Sequence, residues 1–83
     1  MENMTAFNKI KSDADSLERG QICEFTTSFG RVLSGTVVGV KSPDEYTRII
    51  HIINSDGVGG LWVRPSFLSG QKEVVKKINL TSR

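Results

Sequence analysis

The sequence predicts a mainly β fold in which one N-terminal helix precedes a five-stranded small barrel. Three observations predict it. Across residues 20–68, short runs rich in Val and Ile alternate with clusters of Gly, Ser and Asp, the pattern of short strands joined by tight turns. Within one of those runs lie Gly35 and Gly39, and glycine inside a strand marks a bulge, a bend or a close backbone approach, the curvature a small barrel needs. Ahead of the β region, Phe7, Ile10, Ala14 and Leu17 fall at helical spacing.

The totals bound the answer. A chain of 83 residues makes one domain with a small core. It divides into a helix over residues 1–19, the barrel over 20–80 and a tail over 81–83. Hydrophobic residues at 37% and charged residues at 24% are ordinary for a globular domain. The net charge of +2 permits a nucleic-acid partner without arguing for one. Cys23 is the only cysteine, so no intrachain disulfide forms, which fits a reducing, cytoplasmic setting. The segment MENMTAFNKIKSD lacks the apolar run of a secretory signal, and the longest apolar run, residues 49–53, is interrupted by His51; no membrane partner is expected.

The elements follow in order. The helix is expected over residues 4–19, capped by Thr5 or Asn3 and stopped at Gly20, with its narrow apolar stripe docked over an open end of the β structure in preference to binding a partner helix or groove. The first strand, residues 21–27, turns Cys23, Phe25 and Thr27 to the core and Ile22, Glu24 and Thr26 away. Residues 28–30 make a turn with Phe29 exposed at its tip. The second strand, residues 31–41, is stiffened by Val37, Val38 and Val40. Ser42, Pro43, Asp44 and Glu45 form a turn, with Pro presetting φ. The third strand, residues 46–53, carries isoleucines on both faces, which implies burial of both or one face under the helix. A hairpin turn over residues 54–57 leads to a mobile loop at Gly57, Gly59 and Gly60, a short strand over 61–64, one helical turn over 65–68 and a loop over 69–72; the last segment, 73–80, fits strand or helix, with a closing strand favoured.

This order resembles the SH3-like small barrels. The match rests on Gly20 opening the first strand, on Gly30 and Gly35 around the second, and on Val63-Arg64-Pro65 followed by Leu68. Residues 20–39 are also similar to the KOW motif of ribosomal and transcription-elongation proteins, in which a Gly-led strand, a loop and a second Gly-bearing strand follow one another. That resemblance implies a binding domain, and in its KOW form an RNA contact through a basic first loop; here that loop carries one cation, Arg31. Type II dihydrofolate reductases are short SH3-like barrels too. Their active strand holds a Val-Gln-Ile-Tyr core, whereas the matching Leu61-Trp62-Val63-Arg64 has neither Gln nor Tyr.

The residue inventory points away from catalysis. Nucleophilic catalysis needs a nucleophile, a base and an orienting group in reach, and the chain has one His and one Cys. His51, placed among isoleucines, reads as structural. The spacing of a zinc site is missing, and Gly57-Val58-Gly59-Gly60 lacks the Lys-Ser/Thr and helix of a phosphate loop. No catalytic residue, metal or cofactor is therefore expected. What remains is a surface. Phe29, Arg31, Tyr46, Arg48, Trp62 and Arg64 form an aromatic and cationic set suited to a protein partner, with Phe29 and Tyr46 expected to approach Trp62; the other reading of Trp62 is an anchor of the small core. Arg31, Arg48, Arg64, Lys72, Lys76 and Lys77 form the alternative, a basic face for DNA or RNA phosphates. The expectation is a non-enzymatic binding module of the kind phages and other mobile elements use as small accessory proteins, binding and modulating a host protein of the nucleic-acid or defence machinery. Strand edges left by a small barrel can also pair with a second copy.

Overall fold

A computed structural model describes residues 4–82. Helix α1 (Thr5–Asp15) is followed by β1 (Ile22–Thr27), β2 (Val32–Asp44), β3 (Thr47–Asn54), β4 (Gly57–Val63), the one-turn helix α2 (Ser66–Ser69) and β5 (Val75–Ser82). The five strands form one antiparallel sheet in the order β4-β3-β2-β1-β5. β4 and β5 stand at its two edges and no ladder joins them, so the sheet is open where the sequence led us to expect closure. Among the described residues no helix is long and apolar enough to cross a membrane.

β2 gives the sheet its bend. Its first part, Val32 to Thr36, pairs with β1, and its second part, from Thr36 to Asp44, pairs with β3. The register slips between Val37 and Gly39, a bulge that increases twist and turns the strand. The carbonyl of Val38 at this bulge accepts a bond from Nε of Arg19 at 3.2 Å. Gly35 is a close approach: a Cβ there would lie 3.0 Å from Cδ1 of Ile52 and 3.1 Å from the carbonyl oxygen of Ile53. Gly39, at the bulge, has open space around the same position.

The core fills the concave side. Cys23, Phe25 and Thr27 of β1 are buried, as the alternation predicts. Val37, Ile50, Ile52, Val63 and Val75 meet them there, with Phe7 and Ala14 of α1 laid across. Ile10 of the same helical stripe and Leu17, just past the end of the helix, pack against this cluster. Burial raises the Cys23 thiol pKa above its ordinary value.

Several boundaries differ from the sequence reading. α1 stops at Asp15, four residues early: Nε of Arg48 on β3 clasps Oδ1 of Asp15 at 2.7 Å, and Ser16 turns its hydroxyl back to the carbonyl of Ser12 at 3.0 Å as the chain leaves the helix. Gly20, at φ 95°, serves the entry to β1 and donates its N–H to the carbonyl of Val37 at 2.8 Å. Met4 occupies the N-cap with no side-chain cap bond; of the two expected caps, Thr5 lies within the helix and Asn3 outside the described residues. β2 runs on through Ser42, Pro43 and Asp44, leaving Glu45 and Tyr46 as the turn. Pro43 is tolerated there because β1 no longer pairs with that end of β2. The glycines at 57, 59 and 60 are ordered in β4 and pair with Asn54, Ile52 and His51. Only one face of β3 is buried: Ile50 and Ile52 face the core, while Ile53 is exposed and Ile49 and His51 are half-buried. β5 begins at Val75, and it continues through Thr81 and Ser82, which the sequence reading assigned to a tail.

Candidate binding cleft beside Trp62

Trp62 is on β4, opposite Ile49 of β3, on the face turned away from the core. It is 43% exposed, so the indole is a surface group. Two residues on, where β4 has ended, the guanidinium of Arg64 lies over the indole with its central carbon 5.3 Å from the ring centroid. Arg64 is held from behind, because its Nε donates to Oγ1 of the buried Thr47 at 3.1 Å. Thr47 in turn donates to Oδ2 of Asp44 at 3.3 Å, and Oδ1 of Asp44 accepts the N–H of Tyr46 at 2.7 Å, an Asx turn that shapes the β2–β3 connection. The Trp62–Arg64 stack is thus anchored to the sheet through this turn.

Trp62 and Arg64 form one wall of a cleft of about 150 Å³, and Lys72, Glu73 and Val74 form the other. Arg31 binds Glu73 in a two-pronged ion pair, with Nε to Oε2 at 2.7 Å and Nη2 to Oε1 at 2.6 Å. The hydroxyl of Thr27 donates to the same Oε2 at 2.5 Å. These bonds from Arg31 and Thr27 hold the Glu73 carboxyl at a pKa of about 2, and Glu73 raises the pKa of Arg31 in return. The β1–β2 turn is fastened here as well: Ser28 donates its N–H to the carbonyl of Val74 at 2.8 Å, and its Oγ accepts the N–H of Val74 at 3.0 Å. Phe29 projects from this turn and is 61% exposed.

Of the residues read from the sequence, Trp62, Arg64 and Lys72 come together in the cleft, with Arg31 behind it through Glu73. Lys76 lines a neighbouring hollow with Arg64, Phe7 and Ile10 at the docked face of α1. Lys77 is exposed on β5, opposite Thr26. Tyr46 makes its ring contact elsewhere, edge-on to Phe67 at 6.1 Å between centroids. Arg48 is a brace: it grips Asp15 at the end of α1 with Nε and Nη2, at 2.7 and 3.3 Å, and donates Nη1 to the carbonyls of Asp44 and Thr47. Glu73 and Val74 belong to the cleft and escaped the sequence reading. Glu73 is 42 positions from the arginine that holds it, and no local spacing signals such a pair.

Cys23 lies in the core and His51 on the opposite face of the sheet, so the two do not form a dyad. Nε2 of His51 is buried and has no hydrogen-bond partner among the described residues. No group of three or more His, Cys, Asp or Glu among the described residues is placed to hold a metal ion. In comparison with known proteins, no family model, no curated protein and no solved structure matches the chain.

Proposed function

We propose that the chain is a non-enzymatic binding module that holds an acidic segment of a partner protein in the cleft beside Trp62. The carrying observation is the exposed indole with Arg64 stacked on it, facing Lys72 across the cleft. An aromatic surface beside a fixed guanidinium offers both apolar contact and a carboxylate site, the composition of binding hot spots. The strand order and the one-turn helix leading into β5 support an SH3-like small barrel as the scaffold, with the ends of β4 and β5 as its seam. The chain's small size supports the setting of a phage or mobile-element accessory protein that modulates a host protein of the nucleic-acid or defence machinery, by analogy of build alone.

A DNA or RNA partner is the second reading, favoured by the indole as a stacking platform next to Arg64 and Lys72. It ranks second because two of the six cations it needs, Arg31 and Arg48, already serve Glu73 and Asp15. The test is selection of displayed random linear peptides on the full chain. Acidic sequences should be enriched, and Trp62→Ala and Arg64→Ala should each weaken them at least roughly tenfold while the fold persists. No enrichment, together with a salt-sensitive mobility shift on short DNA or RNA, would move the assignment to the nucleic-acid reading.

A further inference from the structure

We infer that the partner segment binds as an added β-strand along the free edge of β4, so that the cleft beside Trp62 is one end of a longer strand-receiving groove. This inference rests on the assignment of that cleft. β4 ends the sheet and pairs with β3 alone, so alternate backbone N–H and C=O groups along it point away from the ladder. Its pairing with β3 runs from Arg48 to Asn54 without a register shift. Natural edge strands are usually blunted by charge, Pro or a bulge. Residues 57–63 of β4 contain no charged residue and no Pro, and Val58 is 69% exposed.

A hollow of about 250 Å³ lies beside β4, lined by residues 56–61 together with Ile52 and Asn54 of β3 and with Arg31 and Leu33. Trp62 of the second cleft follows Leu61 of this hollow directly along β4. Arg31 lines the first space and its partner Glu73 the second, so one ion pair stands on the wall facing β4 in both. A side chain at Gly59 would meet nothing within 4 Å, which leaves room for a neighbouring backbone.

Charge defines the occupant. Asp56 stands at one end of β4, and Arg64 with Lys72 stands at the other; none of the three takes part in the ion pairs found among the described residues. The groove therefore suits an extended segment with an acidic residue at the Arg64 end, a basic residue at the Asp56 end, and small or β-branched uncharged residues between. A second copy of the chain is disfavoured. Its own β4 comes already paired to β3, so a whole sheet and not a single strand would have to be seated beside residues 72–74, which line the Trp62 cleft.

The experiment uses the tightest peptide selected on the full chain and a series of its variants, each N-methylated at one backbone amide. An added strand presents every second N–H to the edge. Methylation should therefore weaken binding roughly tenfold at alternate positions and little at those between. Amide exchange at residues 57–61 should slow on peptide addition. A peptide that depends on Trp62 and Arg64 but shows no alternation overturns strand addition and leaves the cleft reading standing. No selected peptide, or one indifferent to Trp62→Ala, overturns both. Peptide-free dimerisation that already protects the β4 amides assigns the edge to a second copy and overturns the inference.

Discussion

Arg31, Arg48 and Arg64 are indistinguishable in the sequence as exposed cations on a β protein, yet each does different work. Arg31 and Arg48 close ion pairs 42 and 33 positions away, and Arg64 stacks on an indole. Only the third stands outside the ion pairs found among the described residues. Sequence pattern finds the residue type; distant partners decide the role. Glu73 provides a test by pH. Its folded-state pKa of about 2 lies below its ordinary 4.5, so the unfolded chain takes up a proton first as pH falls. The stability this contributes is complete above pH 4.5 and is lost as the pH drops toward about 2. Glu73→Gln should therefore flatten the acid limb of a stability–pH curve in that window, read by urea unfolding at a series of pH values, and an unchanged limb would contradict the role assigned to the pair. Gly35 and Gly39, equivalent in the sequence, also part company. Gly35→Ala forces a methyl group against Ile52 and the backbone of Ile53 and should cost about 1–3 kcal/mol. Gly39→Ala enters open space and should be neutral or slightly stabilising in the same urea titration.

At the scale of elements, the periodicities carried most of the reading. The alternation of β1 and the stripe of α1 place their buried residues correctly because a period of two or 3.6 is a property of the local backbone. The boundaries escaped where a non-local bond decides them. α1 ends at Asp15, where Arg48 of β3 clasps its last residue. The glycines of β4 look like a loop by composition, and it is the β3 ladder that orders them. Docking of α1 depends on Phe7, which is buried against the core cluster. Phe7→Ala should cost on the order of 3 kcal/mol and lower the melting temperature by roughly 12–24 °C in a domain of this size. Phe67→Ala, at an exposed ring, should cost less than about 1 kcal/mol, and circular dichroism melts separate the two.

For the whole molecule, the strand and helix content was legible and the residues of the candidate cleft only in part. The count of strands, their antiparallel order and the preceding helix follow from turn chemistry and patterning. The opening between β4 and β5 does not, because it is set by how far the bend at Gly35 and Gly39 carries the two ends of the sheet toward each other. That opening is what leaves β4 with a free edge and Trp62 with a cleft. A net charge of +2, with Arg31 and Arg48 internally engaged, predicts an affinity for polyanions that is weak and collapses with salt, and an affinity for the selected acidic peptide that keeps an apolar, salt-resistant share. Titrations at low and moderate ionic strength distinguish the two.

Trp62 is the only tryptophan, so its fluorescence reports on the cleft with no other indole to confuse it. The decisive measurement is the emission of the full chain as the selected acidic peptide is added, beside the Arg64→Ala variant. The account predicts a saturable shift of the emission as the indole is covered, at peptide concentrations that the variant needs at least roughly tenfold higher to match. Peptide bound by calorimetry with no change in Trp62 emission would place the binding surface elsewhere and contradict it.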